Sequence, residues 1–235
     1  MGSSGKGKSS EHPEPPRNGK TARTRLSAND VNELLDDAIS EKAGIELGLT
    51  YRGNGVWATD YCNRKRKVLR LFWINPLYAT FEWGWRFDFI PMDKRGKLSH
   101  PRTDRQLDPH VLEVSDDFRN NTENRGKTTL HVCEAATGEV ESTLEAMRKK
   151  CIDVFEFLLP TIKAYFDSTN SYQGIVDRIA APSAYYRTIN PTRGIARVYL
   201  VAFLGKKDEA LKELEKMSFA DERTRERHLE NLRNL

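Results

Sequence analysis

A run of five aromatic residues at every second position is the feature that most restricts how this chain can fold. The aromatic positions are Phe81, Trp83, Trp85, Phe87 and Phe89, and the residues between them are Glu82, Gly84, Arg86 and Asp88. Because successive side chains of a β-strand point to opposite faces, this spacing predicts a strand with one aromatic face and one polar face. Burying each ring contributes about 1.5–3 kcal/mol, so we expect the rings in the core of a sheet. The alternative is an exposed stacking platform for bases or a ligand.

Other strands are predicted in the first half of the chain. Val68 to Ile74 is almost continuously apolar, which indicates a central strand. Leu49 to Trp57 is typical of a hairpin, because Asn-Gly at 54–55 favours a tight turn. A further strand is expected at Thr128 to Cys133. The polar stretch from Pro91 to Lys127 has no sustained periodicity, so we expect a long functional or mobile loop with short turns or an edge strand.

Helices are predicted at the start of the chain and throughout its second half. The first is expected from about Ala28 to Lys42 and to end at Gly44. Apolar residues spaced three or four apart over 140–165 predict a long helix, which Pro160 should kink or end near Leu159. Shorter helices are expected over 172–180, 192–204, 208–217 and 221–235. Strands followed by helices indicate an α+β fold: an N-terminal helix, an antiparallel sheet of about four to six strands, and a C-terminal helical half packed on the sheet.

Positive charge is concentrated at the N-terminus. Residues 1–26 hold six basic and two acidic residues, which leaves 32 of the 38 basic and 32 of the 34 acidic residues for the rest of the chain. We predict a disordered basic tail over 1–26, because it has almost no apolar residue to bury. The remainder is predicted to be a single α+β domain over 27–235, sheet-rich over 27–138 and helical over 139–235. The tail is either a solubilising segment or an electrostatic tether for nucleic acid or a partner.

The composition favours a cytoplasmic protein without a membrane partner. Residues 1–26 lack the apolar segment of a signal peptide, and no stretch reaches the roughly 18 apolar residues that span a bilayer. The cysteines Cys62, Cys133 and Cys151 have no CxxC spacing, which favours free thiols in a reducing compartment.

Four consecutive cations precede the predicted central strand. They are Arg64, Lys65, Arg66 and Lys67. In a turn they would form either a solvated hairpin tip or a clamp for phosphates. The second interpretation makes them, together with the tail, the nucleic-acid contact of the chain.

The polar face of the aromatic strand and the loop after it supply the candidate binding residues. These are Arg86, Asp88, Arg102, Asp104 and Arg105. Gly84, between the aromatic positions, leaves a gap where a ligand or a backbone segment approaches. The residues of the loop would fold back over the same face. Such an Arg-rich set with carboxylates suits an anionic ligand or a partner's charged loop, and the alternative is an ion-pair network that ties the loop to the sheet.

Complete catalytic and cofactor motifs are missing from the sequence. It contains no GxxxxGK[ST] or GxGxxG phosphate loop, no GxSxG elbow and no HExxH. Glu82 and Asp88 lie about 20 Å apart along one strand, too far to share a metal ion. We therefore predict no cofactor, no metal site and no catalytic residue.

The segment 83–91, WGWRFDFIP, followed by 101–105, PRTDR, resembles a family of uncharacterised bacterial proteins. In that family an aromatic-Gly-x-x-x-Asp-Phe-x-Pro strand precedes an Arg-Thr-acid-basic loop, and an early Gly and Trp hairpin is similar to residues 53–57. The resemblance covers about residues 45–135 and implies an α+β fold without an established activity. By analogy, some small bacterial α+β domains of this appearance are toxin-neutralising immunity proteins.

These observations favour a non-enzymatic binding or regulatory protein, toxin-neutralising or defence-associated, that acts on a protein partner through the polar sheet face and the 91–127 loop. One alternative is a nucleic-acid-associated protein that uses the basic tail and the cations at 64–67. A weaker alternative is an enzyme that acts on an anionic substrate.

Overall fold

The computed structural model describes residues 23–24, 28–75, 78–94, 97–99, 107–131, 135–136, 140–181, 193–219 and 221–235. The strands in these ranges are β1 (Arg23–Thr24), β2 (Thr50–Gly53), β3 (Val56–Ala58), β4 (Lys65–Asn75), β5 (Tyr78–Phe87), β6 (Met92–Lys94), β7 (Lys97–Ser99), β8 (Val111–Val114), β9 (Leu130–His131) and β10 (Ala135–Ala136). The helices are α1 (Ala28–Leu47), α2 (Asp116–Arg119), α3 (Val140–Ser168), α4 (Tyr172–Ala180), α5 (Arg193–Phe203), α6 (Lys207–Glu215) and α7 (Glu222–Arg233), with a 3-10 turn at Glu123–Lys127. This order confirms the predicted α+β fold.

The main sheet is antiparallel and has six strands. Its order is β2-β3-β4-β5-β8, and β9 pairs with the start of β5. β4 and β5 pair along almost their whole length, with Lys65 opposite Phe87 and Trp73 opposite Ala79. β4 is therefore a central strand, as its apolar sequence predicts. The β2–β3 hairpin turns at Asn54 and Gly55, whose φ angles of 53° and 67° are those of the tight turn that Asn-Gly favours.

β5 is buried on both of its faces. The predicted core face is confirmed: the rings of Phe81 and Trp85 pack against those of Phe155 and Phe166 on α3, at centroid distances of 5.8 and 5.3 Å. The other face was expected to be open to a partner. At Glu82 and Arg86, however, the side chains are at most 1% exposed, so that surface is not available there.

The polar face is closed by ion pairing and by the backbone of β8. Arg70 lies opposite Glu82 on β4, and its Nε and a terminal nitrogen donate to one carboxylate oxygen at 3.0 and 2.8 Å. Gly84 lies opposite Leu112, and a Cβ at position 84 would lie 1.9 Å from the carbonyl oxygen of Val111. The gap that Gly84 predicts is therefore filled by a backbone segment of the chain itself.

The expected 91–127 loop contains regular structure. Besides β6 and β7, which pair with each other, it includes β8 at the end of the main strand order. All four residues of β8 are buried. The sequence Val-Leu-Glu-Val lacks the alternation of apolar and polar residues that predicts a strand, because this short strand is covered on both sides. Its position at a sheet edge agrees with the prediction of an edge strand in part of this stretch.

The predicted end of the first helix is wrong, and of the two alternatives predicted at Pro160, a kink or an end, the end is wrong. α1 continues through Gly44 and stops where Gly48 takes a φ of 71°, the left-handed conformation that terminates helices. α3 continues through Pro160, which lies in its interior and is exposed. Buried residues on both sides, Leu159 and Ile162, hold the helix against the core although Pro160 cannot donate a backbone hydrogen bond. The four later helices lie where they were predicted, with ends shifted by at most two residues.

Most of the predicted N-terminal tail lies outside the described residues. Arg23 and Thr24 are described, and they pair with Ala136 and Ala135. Among the helices of the described ranges, none is both long and apolar enough to cross a membrane.

We expect the substitution Gly84→Ala to lower the free energy of unfolding by at least about 2 kcal/mol, because the added methyl group overlaps the Val111 carbonyl. Gly126→Ala is the matched control, since a Cβ at Gly126 meets no heavy atom within 4 Å and should change stability by less than about 0.5 kcal/mol. Urea unfolding of both variants tests this. Equal stabilities would show that β8 does not pack on Gly84 as described.

Candidate functional site

Arg86 is fully buried and is oriented by groups from three chain segments. Its Nε donates to the hydroxyl of Tyr61 at 3.0 Å, and a terminal nitrogen donates to the backbone carbonyl of Asp108. The other terminal nitrogen lies 3.5 Å from the sulfur of Met92. These contacts fix the direction of the guanidinium group.

A second arginine lies beside it. Arg66 is directly opposite Arg86 in the β4–β5 register, so both side chains are on the same sheet face, and Arg66 is only 1% exposed. Its guanidinium carbon is 4.5 Å from the centroid of the Tyr61 ring. Tyr61 therefore contacts both arginines. We call the set Tyr61, Arg66, Arg86 and His110 the arginine corner.

His110 completes the corner with a neutral ring. Its Nδ1 accepts a hydrogen bond from the amide of Phe87 at 3.0 Å, and the whole residue is buried. Burial, followed by the charges of Arg86 and Arg66, holds the pKa of His110 well below its usual value. Because Nδ1 is an acceptor, the ring proton is on Nε2. Within the described residues Nε2 has no hydrogen-bond partner.

The predicted site residues do not form one open site. Asp88 lies at the surface, where its carboxylate accepts from Nε of Arg64 at 2.9 Å and both side chains are about half exposed. Arg86 is fully buried and contacts Tyr61 and Asp108 instead. Arg102, Asp104 and Arg105 lie outside the described residues. Arg86 and Asp88 therefore belong to two different environments, a buried corner and a surface ion pair.

Three of the four cations at 64–67 contact groups inside the protein. Lys65 is 8% exposed; its Nζ lies 4.2 Å from the centroid of the Trp85 ring and donates to the carbonyl of Asn170. Burial lowers its pKa to about 8. Nζ of Lys67 lies 5.2 Å from the centroid of Phe166. These residues lie on strand β4 rather than in a turn, so the expectation of a solvated hairpin tip is wrong for them.

Arg64 is the member of the run that remains at the surface. Its guanidinium carbon lies 5.2 and 5.6 Å from the ring centroids of Phe89 and Phe203. With the other three cations each over an aromatic ring, the run binds β4 to neighbouring parts of the fold. A phosphate clamp built from all four side chains is not present in this arrangement.

A second feature lies at the opposite end of the β4–β5 hairpin. Trp73 and Tyr78 are 42% and 40% exposed, and Tyr78 stacks on His131 with ring centroids 4.7 Å apart. Beside them, Leu34 of α1 and Met147 of α3 line a shallow apolar pocket together with Trp73 and His131. We call these five residues the aromatic groove. The sequence offered a signal for it, since two large rings flank the short connection between the strands.

Metal-ligating and thiol side chains are the remaining candidates for chemistry among the described residues. Within the described part of the chain, no three His, Cys, Asp or Glu side chains converge on a position for a metal ion. Cys62 is exposed, whereas Cys151 is buried and burial raises its pKa to about 12, so its thiol is protonated at neutral pH.

Comparison with known proteins gives no relative from which a function could be transferred. The chain matches no protein-family model, no curated protein and no solved structure. Function therefore has to be inferred from the arginine corner and the aromatic groove.

We expect His110 to make the protein less stable in mild acid. Below about pH 6.5 the unfolded chain binds a proton at this residue that the native protein does not. The free energy of unfolding therefore decreases as the pH is lowered, by up to about 1.4 kcal/mol per pH unit. His110→Asn keeps an acceptor for the Phe87 amide and should flatten this slope. Urea unfolding between about pH 7.5 and about pH 5 measures it.

Comparison of the two proteins isolates this effect. Burial raises the pKa of Glu113, so this residue contributes a pH dependence of stability of the opposite sign in both proteins. Subtracting the slope of His110→Asn from that of the wild type removes this contribution. A slope that is the same in His110→Asn as in the wild type would contradict the neutral buried ring.

We expect Lys65 to make the stability of the protein depend on pH in alkaline solution. Between its pKa of about 8 in the native protein and the ordinary value of 10.5, the unfolded chain holds one more proton, so stability rises with pH. Lys65→Met removes that rise and, because it replaces a buried charge with an apolar chain of similar length, should be at least as stable as the wild type at pH 7. Thermal unfolding across this range tests both statements. A loss above about 2 kcal/mol would show that the contacts with Trp85 and Asn170 outweigh the cost of burial.

Proposed function

We propose that this chain is a non-enzymatic binding protein that recognises a protein partner through the aromatic groove. The observation that supports this is the pair of large exposed rings, Trp73 and Tyr78, beside an apolar pocket. Tryptophan and tyrosine are enriched among the residues that dominate binding energy at protein interfaces. They bury a large area at a small cost in side-chain entropy.

The surroundings of the groove resemble the anatomy of an interface. Its floor is apolar, with Leu34 and Met147 from two different helices. A polar rim follows within one helical turn, where Arg148 on α3 donates to the carboxylate of Asp37 on α1 at 2.7 Å. Apolar centres with polar rims are typical of specific protein–protein contacts. An apolar side chain of the partner would pack on this floor and against the two exposed rings.

This proposal keeps the class of function that the sequence favours and moves its location. The polar face of β5 is closed at Glu82 and Arg86, so the groove takes its place as the contact surface. A regulatory role, including toxin neutralisation, would follow from the identity of the partner. For the nucleic-acid alternative, the internal positions of Lys65 and Arg66 leave the basic tail and Arg64 as contacts.

Affinity capture from the native cell tests the proposal. We expect the wild-type chain to enrich one specific protein, and Trp73→Ala together with Tyr78→Ala to reduce that enrichment at least tenfold, which corresponds to a loss of about 1.4 kcal/mol or more.

Ile45→Ala is the matched control, because Ile45 is 76% exposed on α1, about 17 Å along the helix from Leu34 of the groove. It should capture the partner as the wild type does. The melting temperatures of all variants are compared first, so that a folding defect is not mistaken for lost binding. Equal capture by the groove variant and the wild type would exclude this surface.

A further inference from the structure

We propose that a proline-rich segment of the chain's own N-terminal tail, residues 13–16, covers the aromatic groove, and that a partner must displace this segment in order to bind. The segment has the sequence Pro-Glu-Pro-Pro and lies outside the described residues. Its regulatory consequence rests on the proposed function of the groove, whereas the cover itself does not.

The exposed rings of the groove are suited to prolines. Trp73 and Tyr78 are 42% and 40% exposed, and Tyr78 stacks on His131 with ring centroids 4.7 Å apart. Proline-rich segments bind in grooves lined with aromatic side chains, because their polyproline II helix is already formed and loses little entropy on binding. Three of the ten prolines of the chain lie within residues 13–16, two of them at the spacing Pro-x-x-Pro. A largely polar tail therefore carries one segment whose chemistry matches the groove.

The point at which the tail joins the fold brings this segment within reach. Thr24 pairs with Ala135, which follows His131 of the groove by four residues. Paired Cα atoms lie about 5 Å apart and four residues span at most about 14 Å, so Thr24 lies within about 19 Å of His131. The eight residues from Pro16 to Thr24 span about 25 Å in the polyproline II conformation. The connection is therefore long enough to place the prolines on the groove.

The charges on the two sides are complementary. Residues 17–25, which follow the proline-rich segment, include four basic and no acidic residues. Residues 30–37 at the start of α1 include four acidic and no basic residues, and Leu34 of the groove lies among them. Beside the groove on α3, Arg148 and Lys150 already donate to a carboxylate of α1 and to a backbone carbonyl. Exposed charges attract weakly in water, so they orient the tail while the rings hold the prolines.

A weak contact is sufficient because the segment is tethered. A segment on a short linker has an effective concentration on the order of millimolar at its site. With a dissociation constant of about 1 mM or below, the groove is covered at least half of the time. A partner that binds the open groove then loses a factor of about two or more in apparent affinity. The tail therefore sets a threshold for the capture of a partner.

Acrylamide quenching of tryptophan fluorescence in the full chain tests whether the groove is covered. The chain has four tryptophans. Trp57, Trp83 and Trp85 are at most 3% exposed, so quenching by collision reports on Trp73. The Stern–Volmer constant of this quenching measures how accessible the Trp73 ring is.

The open-tail variant is the full chain with the three prolines replaced, Pro13→Ser, Pro15→Ser and Pro16→Ser. We expect its Stern–Volmer constant to be about twofold higher than that of the wild type, because Trp73 is no longer covered. A synthetic peptide of residues 10–20, added at about 1 mM, should bring the constant back toward the wild-type value. In the affinity capture, the open-tail variant should enrich the partner about twofold more than the wild type does.

Two further variants make the measurement specific. Ser9→Ala together with Ser10→Ala is the matched control, because it changes the tail beside the prolines without changing its charge, and it should be quenched like the wild type. Trp73→Phe should remove the difference between wild-type and open tails. The melting temperatures of all variants are compared first, so that a folding defect is not mistaken for an exposed ring.

The proposal is overturned if the open-tail variant is quenched like the wild type, or if its excess quenching persists with Trp73→Phe. Shielding that increases with protein concentration also overturns it, because the cover then comes from the tail of a second copy. Failure of the proposed function gives a different result. Quenching that depends on the prolines, without capture of any partner, supports the cover and removes the partner, whereas capture that depends on Trp73 without such quenching does the reverse.

Discussion

The burial of β5 on both faces is the constraint on which the rest of this structure depends. The residues from Ala79 to Phe87 all lie inside the protein, so the strand needs cover on two sides. Helix α3 covers the aromatic side, and β8 approaches the other side so closely that position 84 has room only for glycine. Charged side chains on that second side must then find partners in the interior, because burying an unpaired charge is costly. The ion pair of Arg70 with Glu82 and the fixed orientation of Arg86 follow from this requirement.

The same constraint explains why three of the four consecutive cations are directed into the protein. On β4, Lys65 and Lys67 point to the helical side, where the aromatic rings of β5 and α3 accept them, and Arg66 points to the other side. A cation over an aromatic face keeps a favourable electrostatic interaction after it has left water. Long side chains of this kind also cover apolar surface with their methylene groups. Local charge density in the sequence therefore indicated a surface feature, whereas the strand that carries it is buried.

The sequence predicts what depends on near neighbours along the chain. Alternation is a local property, so the aromatic run is enough to predict β5 and its core face, and Gly84 indicates a close approach. The arginine corner depends on pairing between distant segments: Arg66 meets Arg86 through the β4–β5 register, and His110 meets the amide of Phe87 across 23 residues. No local pattern distinguishes such residues from exposed ones. Pro160 shows the converse: a local rule predicted a kink or a helix end, and the helix continues because it packs against the core.

The β4–β5 hairpin also separates the two candidate surfaces. Arg66 lies near one end of β4 and Trp73 near the other, seven residues or about 23 Å apart. Most of the residues between them are buried, and the groove and the corner share no side chain. Any coupling between the two would have to pass through β4 and β5, because these strands are the elements that join the two ends. Dense packing on both sides makes such strands rigid, so a change at one end reaches the other only if it alters the register or burial of these strands.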